Sequence, residues 1–92
     1  MPTGSASGNE IWNAAMNIDH MVKMANEISA FFSGESKPGE APRDVAGHLR
    51  RYWEPRMRRQ IIAHYHNGAA GLEEVARQAV GILAAAEAAP KS

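Results

Sequence analysis

Pro55 limits what this chain can fold into more than any other residue. It stands in the run HLRRYWEPRMRRQ, residues 48–60, with apolar residues at helical spacing on both sides. A proline cannot sit inside an undistorted helix, because its ring collides with the preceding turn and it has no N–H to donate. It also pushes the residue before it, Glu54, into an extended conformation. The sequence therefore predicts two short helices meeting at a sharp Trp53-Glu54-Pro55 corner, with Pro55 opening the later one.

The rest of the chain reads as helix too. Asn17 is a good N-cap, and Asp19 suits the positive end of a helix dipole. Ile18, Met21, Val22, Ala25, Ile28 and Phe32 then recur at helical spacing, with Gly34 as the stop. Met24 and Phe31 lie just outside this stripe. They widen the apolar arc to about 180°, against roughly 100° for an ordinary surface helix, so this helix is expected to touch more than its own core. Residues 33–42, SGESKPGEAP, form a loop, and Pro42 is placed to open the second helix. Val45, Leu49 and Tyr52 give that helix its apolar face. Met57, Ile61 and Tyr65, with Ile62 alongside, do the same for the third, which Asn67-Gly68 ends. Leu72 opens the fourth, with Glu73 and Glu74 in its first turn and a face of Leu72, Val75, Ala76, Ala79 and Leu83. Gly81 within it costs about 1 kcal/mol relative to alanine and marks a close packing site. No segment has strand periodicity. The expected fold is all-α, a single domain of about four short helices over residues 16–86. Residues 1–15 are expected as a flexible N-terminal tail, whose Trp12 either docks or is exposed, and residues 87–92 as a frayed C-terminal tail.

The totals exclude several classes. A chain of 92 residues is one small domain with a thin core. It has no cysteine, so it builds no disulfide framework, zinc ribbon or iron–sulfur site of its own. No apolar run approaches the roughly 20 residues a membrane span needs. The first ten residues have neither the basic start nor the apolar stretch of a secretory signal, which makes a cytoplasmic protein the expectation.

The net charge is zero, yet it is unevenly spread. Arg50, Arg51, Arg56, Arg58 and Arg59 face Glu54 alone in the 48–60 window, which carries about +4 and leaves about −4 elsewhere. Three readings compete. Two helices joined by a corner and rich in arginine would suit a nucleic-acid groove, but the ten carboxylates of the chain as a whole argue against a basic nucleic-acid-binding domain. A plain solvated surface is the second reading, with Tyr52 and much of Trp53 given to the core. A protein-docking patch is the third, and composition favours it, since Arg, Trp, Tyr and Met are enriched at interface positions that carry binding energy. On the wheel Arg56, Arg59 and His66 project together, away from the apolar face. Arg58 falls beside Ile61, Ile62 and Tyr65. It is therefore either half-buried with a carboxylate partner, Glu54 being nearest in sequence, or at an interface.

Nothing in the chain reads as catalytic. His64 and His66 face about 160° apart on a helix and cannot chelate one metal. His20 and His48 read as capping or surface residues. There is no Ser/His/Asp set, phosphate loop or carboxylate pair.

The run from His48 to Arg58, with Met24-Ala25-Asn26 before it and the turn Gly68-Ala69-Ala70-Gly71-Leu72 after it, resembles the delta subunit of cytoplasmic NAD-dependent formate dehydrogenases. The resemblance covers residues 16–83. Its most distinctive part is Trp-acidic-Pro-Arg-Met-Arg, here Trp53 to Arg58. The first fifteen residues have no counterpart in that family, and the turn departs from its Gly-Gly-Leu-like form. The resemblance implies a non-catalytic accessory subunit without a redox centre. It implies association with the large (alpha) subunit of a complex that carries a molybdenum or tungsten bis-guanine-dinucleotide cofactor, iron–sulfur clusters, FMN and NAD. The implied role is support of cofactor insertion or of complex stability. It implies no set of functional residues. From the window itself, Arg50, Arg51, Trp53, Arg56, Arg58 and Arg59 are expected to include the docking contacts, with Met24 and Phe31 as a secondary apolar patch. The isolated chain is left with two alternatives, a monomer or a species that self-associates through apolar surface meant for its partner. The alternative expectation is a small helical nucleic-acid-binding protein using the Arg50–Arg59 patch.

Overall fold

A computed structural model describes residues 17–88. They form four helices, α1 (Ile18–Glu35), α2 (Ala41–Tyr52), α3 (Pro55–His66) and α4 (Glu74–Ala88), and the described residues contain no strand. The expected all-α fold and its four helices are borne out. The segment 1–15 and its Trp12 lie outside the described residues.

α1 begins as its sequence requires, with the Asn17 side chain accepting a hydrogen bond from the His20 backbone N–H at 2.9 Å. It runs through Gly34 and ends at Glu35, where Ser36 turns extended and donates its N–H to the Phe32 carbonyl. The Ser36 hydroxyl then reaches forward to the Asp44 carboxylate at 2.6 Å, tying the end of α1 to the first turn of α2. Pro42 sits in the first turn of α2, where a missing N–H costs nothing. α2 stops at Tyr52. Trp53 and Glu54 take extended ψ angles of 140° and 153°, and Pro55 opens α3. The corner forms where the proline demanded it.

α2 and α3 follow one another in the chain but share almost no contact. Each packs on α1 and α4 instead, and the α2–α4 pairing is the most extensive. Small residues make that pairing close. Ala76, Ala79 and Val80 of α4 are fully buried, as are Val45 and Leu49 of α2, and Leu83 of α4 is nearly so. Met21, Val22 and Ala25 of α1 and Ile61 of α3 complete the core. Gly81 is the close packing site its place in the pattern predicts, since a Cβ there would lie 2.7 Å from the Tyr65 hydroxyl oxygen.

The α3–α4 connection departs from the expected boundary. α4 starts at Glu74, two residues after Leu72. The cause is Asn26, on α1, whose side chain clamps the incoming loop. Its Oδ1 accepts the Glu73 N–H, and its Nδ2 donates to the Gly71 carbonyl, both at 2.9 Å. An N-terminal N–H that the helix cannot satisfy is thus met by a side chain from another helix. Gly71 has a φ of +84°, and a Cβ there would also come within 3.2 Å of Val22. His64 braces the same loop, its Nε2–H donating to the Ala70 carbonyl at 2.7 Å. At the other end α4 continues to Ala88, past the boundary expected at residue 86, because Glu87 has a partner on α3.

Candidate functional site

The arginine window does not present its cations together. Arg58 turns inward at the corner, its side chain 18% exposed. Its Nε donates to the Glu87 carboxylate, and its Nη1 donates to the Trp53 carbonyl at 2.6 Å and the Arg50 carbonyl at 3.2 Å. One guanidinium so meets two carbonyls left free at the C-terminal end of α2 and fastens the corner to the end of α4. Of the two fates open to Arg58, half-burial with a carboxylate is the observed one. The partner is Glu87 rather than Glu54, which is exposed and precedes Pro55 in extended backbone. Trp53 is 6% exposed and belongs to the core cluster. These two residues were expected among the docking contacts, and within the chain both help to build the corner.

Arg50, Arg51, Arg56 and Arg59 are exposed, and none makes an ion pair among the described residues. Arg50 and Arg51 straddle the outer crest of α2. Arg50 lines a groove toward α4 with Arg43, Gly47, Ile82 and Ala86. Arg51 lines one toward α1 with Arg43, Asp44, Gly47, His48 and Tyr52. Arg43, outside the window, is therefore part of the same cationic crest. Its position seven residues before Arg50 was the available sign, since that spacing repeats a helix face. Arg56 and Arg59 occupy the first turns of α3.

The apolar surface is also arranged differently from the expectation. Phe31 is 62% exposed, but Met24 is half-buried and packs on the core. Phe31 is joined instead by Tyr52, which is 66% exposed rather than buried in the α2 face. Tyr52 is the last residue of α2, and Trp53, just beyond, takes the interior position. Phe31, Phe32, His48 and Tyr52 form a continuous line, with successive ring centroids 5.2, 5.7 and 4.8 Å apart. They line a groove of about 460 Å³ between α1 and α2, together with Glu27 and Ile28. His48 is thus part of an aromatic surface rather than a cap. The two contacts of Phe32 are edge-to-face, an arrangement aromatic rings favour, and the His48–Tyr52 pair is tilted.

This surface sets aromatic rings beside guanidiniums that make no ion pair among the described residues. Among the described residues, no three His, Asp or Glu side chains converge in a way that would hold a metal, and no helix is long and apolar enough to cross a membrane. Glu74 and Arg77, at the start of α4, are the pair with the clearest mutual effect. The Arg77 guanidinium hydrogen-bonds Glu74 at 2.6 and 2.8 Å. It holds the Glu74 carboxyl below its ordinary pKa, with help from Gln78.

A search of curated proteins and a search of solved structures each gave no match. The family model described as NADH-dependent formate dehydrogenase delta subunit FdsD matches residues 20–80. That span runs from the first turn of α1 into α4 and takes in the Asn26 clamp, the Trp53-Glu54-Pro55 corner, Arg58 and the aromatic line. The chain belongs to the formate dehydrogenase delta-subunit family.

Proposed function

We propose that this protein is a cytoplasmic, non-catalytic accessory subunit that docks on the large subunit of a formate dehydrogenase complex. There it supports complex stability or cofactor insertion. The observation that carries the reading is the exposed surface around α2 and the start of α3. Phe31 and Tyr52 stand open beside Arg50 and Arg51, with Arg56 and Arg59 around the corner, and the fold gives none of these cations a carboxylate partner among the described residues. Aromatic and arginine side chains that a small domain leaves uncovered are typical anchors of a protein interface. The turning of Arg58 into the corner weakens the nucleic-acid alternative, which needs the window's positive charge on one face.

On this reading the molybdenum or tungsten centre, the iron–sulfur clusters and the flavin belong to other subunits, because this chain has no thiolate to hold a cluster. The group it is equipped to meet is an anion. Exposed arginines suit the phosphates of a guanine-dinucleotide cofactor as well as a partner's carboxylates. The test separates the two. Arg56→Glu with Arg59→Glu is introduced into the tagged chain, co-expressed with its complex. Reduced co-purification of the large subunit at unchanged helicity supports docking. Normal co-purification with under-loaded cofactor places the arginines in insertion. If neither changes, neither role belongs to Arg56 and Arg59.

A further inference from the structure

Gly47 lies in the interior of α2, where a glycine weakens a helix. Within the chain nothing requires it. It does not have a positive φ, and a Cβ built on it meets nothing within 4 Å. It contrasts with Gly71 and Gly81, whose neighbours leave little or no room for a side chain. Gly47 is exposed and borders both grooves that flank α2. A bare stretch of helix at such a place lets another backbone approach closely.

The charges around it name the kind of visitor. Arg43, Gly47, Arg50 and Arg51 follow at i, i+4, i+7 and i+8, one stripe of the helix surface. Two carboxylates border it as well, Asp44, which accepts the Ser36 hydroxyl, and Glu40, 3.9 Å from Arg43, and both lie on the N-terminal half of the stripe, so its excess charge sits at Arg50 and Arg51. Open apolar surface continues on both sides, Ile82 toward α4 and Tyr52 toward α1. The crest is thus positive toward its C-terminal end, bare at its middle and apolar at its flanks.

We infer that the α2 crest receives an acidic helix of the partner subunit, which packs close over Gly47 and sets carboxylates against Arg43, Arg50 and Arg51. Seven residues of helix rise about 10.5 Å, so carboxylates seven apart on the visiting helix match Arg43 and Arg50. Its apolar residues meet Ile82 or Tyr52. This deepens the accessory-subunit reading and rests on it, since it names the face and the chemistry by which the chain docks.

The experiment measures binding of the full chain to the purified formate dehydrogenase complex lacking it, at low and high salt. Three forms are compared: wild type, Gly47→Gln, and Arg43→Glu with Arg50→Glu. A Cβ at position 47 meets nothing within 4 Å, and glutamine has a better helix propensity than glycine, so the variant is expected to melt no lower than wild type. Its affinity is expected to fall at least tenfold, because the added side chain holds the visiting helix off. The charge-reversed pair is expected to lose at least tenfold as well, and wild-type affinity to weaken with salt. Wild-type affinity retained by either variant overturns the inference while leaving the accessory-subunit reading standing. No binding by wild type overturns that reading itself, and this one with it.

Discussion

Arg58 shows how far a single residue can be read from its neighbours in sequence. Its place on the wheel indicated an arginine drawn toward the apolar side, and the structure puts it there. Its carboxylate was not legible, because the local i, i+4 rule points to Glu54 while the fold delivers Glu87 from a helix 29 residues away. Pro55 decides between them, since it holds Glu54 extended and outside the helix that carries Arg58. Truncation tests the result. Arg58→Ala removes the ion pair and leaves the Trp53 carbonyl, part-buried in the corner, without its donor. The expected loss is about 1–3 kcal/mol, the usual cost of an abandoned polar group with a charged partner. Arg56→Ala and Arg59→Ala, on exposed side chains, should stay within about 0.5 kcal/mol of wild type. Urea unfolding of the three variants reads the difference. Equal, small effects in all three would mean that Arg58 braces nothing.

The helices themselves were the most legible part, and their ends the least. Apolar spacing, an N-cap at Asn17 and prolines at 42 and 55 mark α1, α2 and α3, each by a local mechanism. The start of α4 was misplaced because its cap is not local. Asn26 supplies it across 47 residues, and no reading of the loop alone contains that information. Asn26→Ala should therefore cost about 1–2 kcal/mol, as the loss of an N-cap does. It should also speed hydrogen exchange at the Glu73 amide more than at amides in the middle of α4. Unchanged exchange at Glu73 would remove the clamp. The first turn of α4 also carries a pH signature. Arg77 and Gln78 hydrogen-bond Glu74, so its folded pKa lies below its ordinary value. The contribution of this pair to stability is present above the ordinary glutamate range and is lost as pH falls through the depressed folded value. An NMR titration should place the Glu74 carboxyl midpoint below the usual range in the wild type. In Arg77→Ala the midpoint should move up toward it. No movement would show that the pair is not formed in solution.

At the scale of the whole molecule, the packing sorts the aromatic residues in a way that spacing alone does not. Tyr52 lies on the apolar side of its helix wheel, yet it is exposed at the last residue of α2, while Trp53, just past the helix end, is buried in the core. Phe31 is left out because Phe32, Ile28 and Met24 already supply the side chains with which α1 packs on the core. The outcome is an open aromatic groove on a chain whose net charge is zero, a combination with little electrostatic repulsion to keep copies apart. The isolated chain should consequently associate with itself as concentration rises, through this groove. Phe31→Ser with Tyr52→Ser should abolish that association at nearly unchanged melting temperature, since both side chains are about two-thirds exposed and contribute little to the core. Light scattering across a concentration series, for wild type and the double variant, decides the matter. If the wild type stays monomeric at high concentration, the groove is not a sticky surface in isolation. If the double variant still associates, another face of the molecule is responsible. If the variant melts well below wild type, the rings belong to the core and not to the open surface.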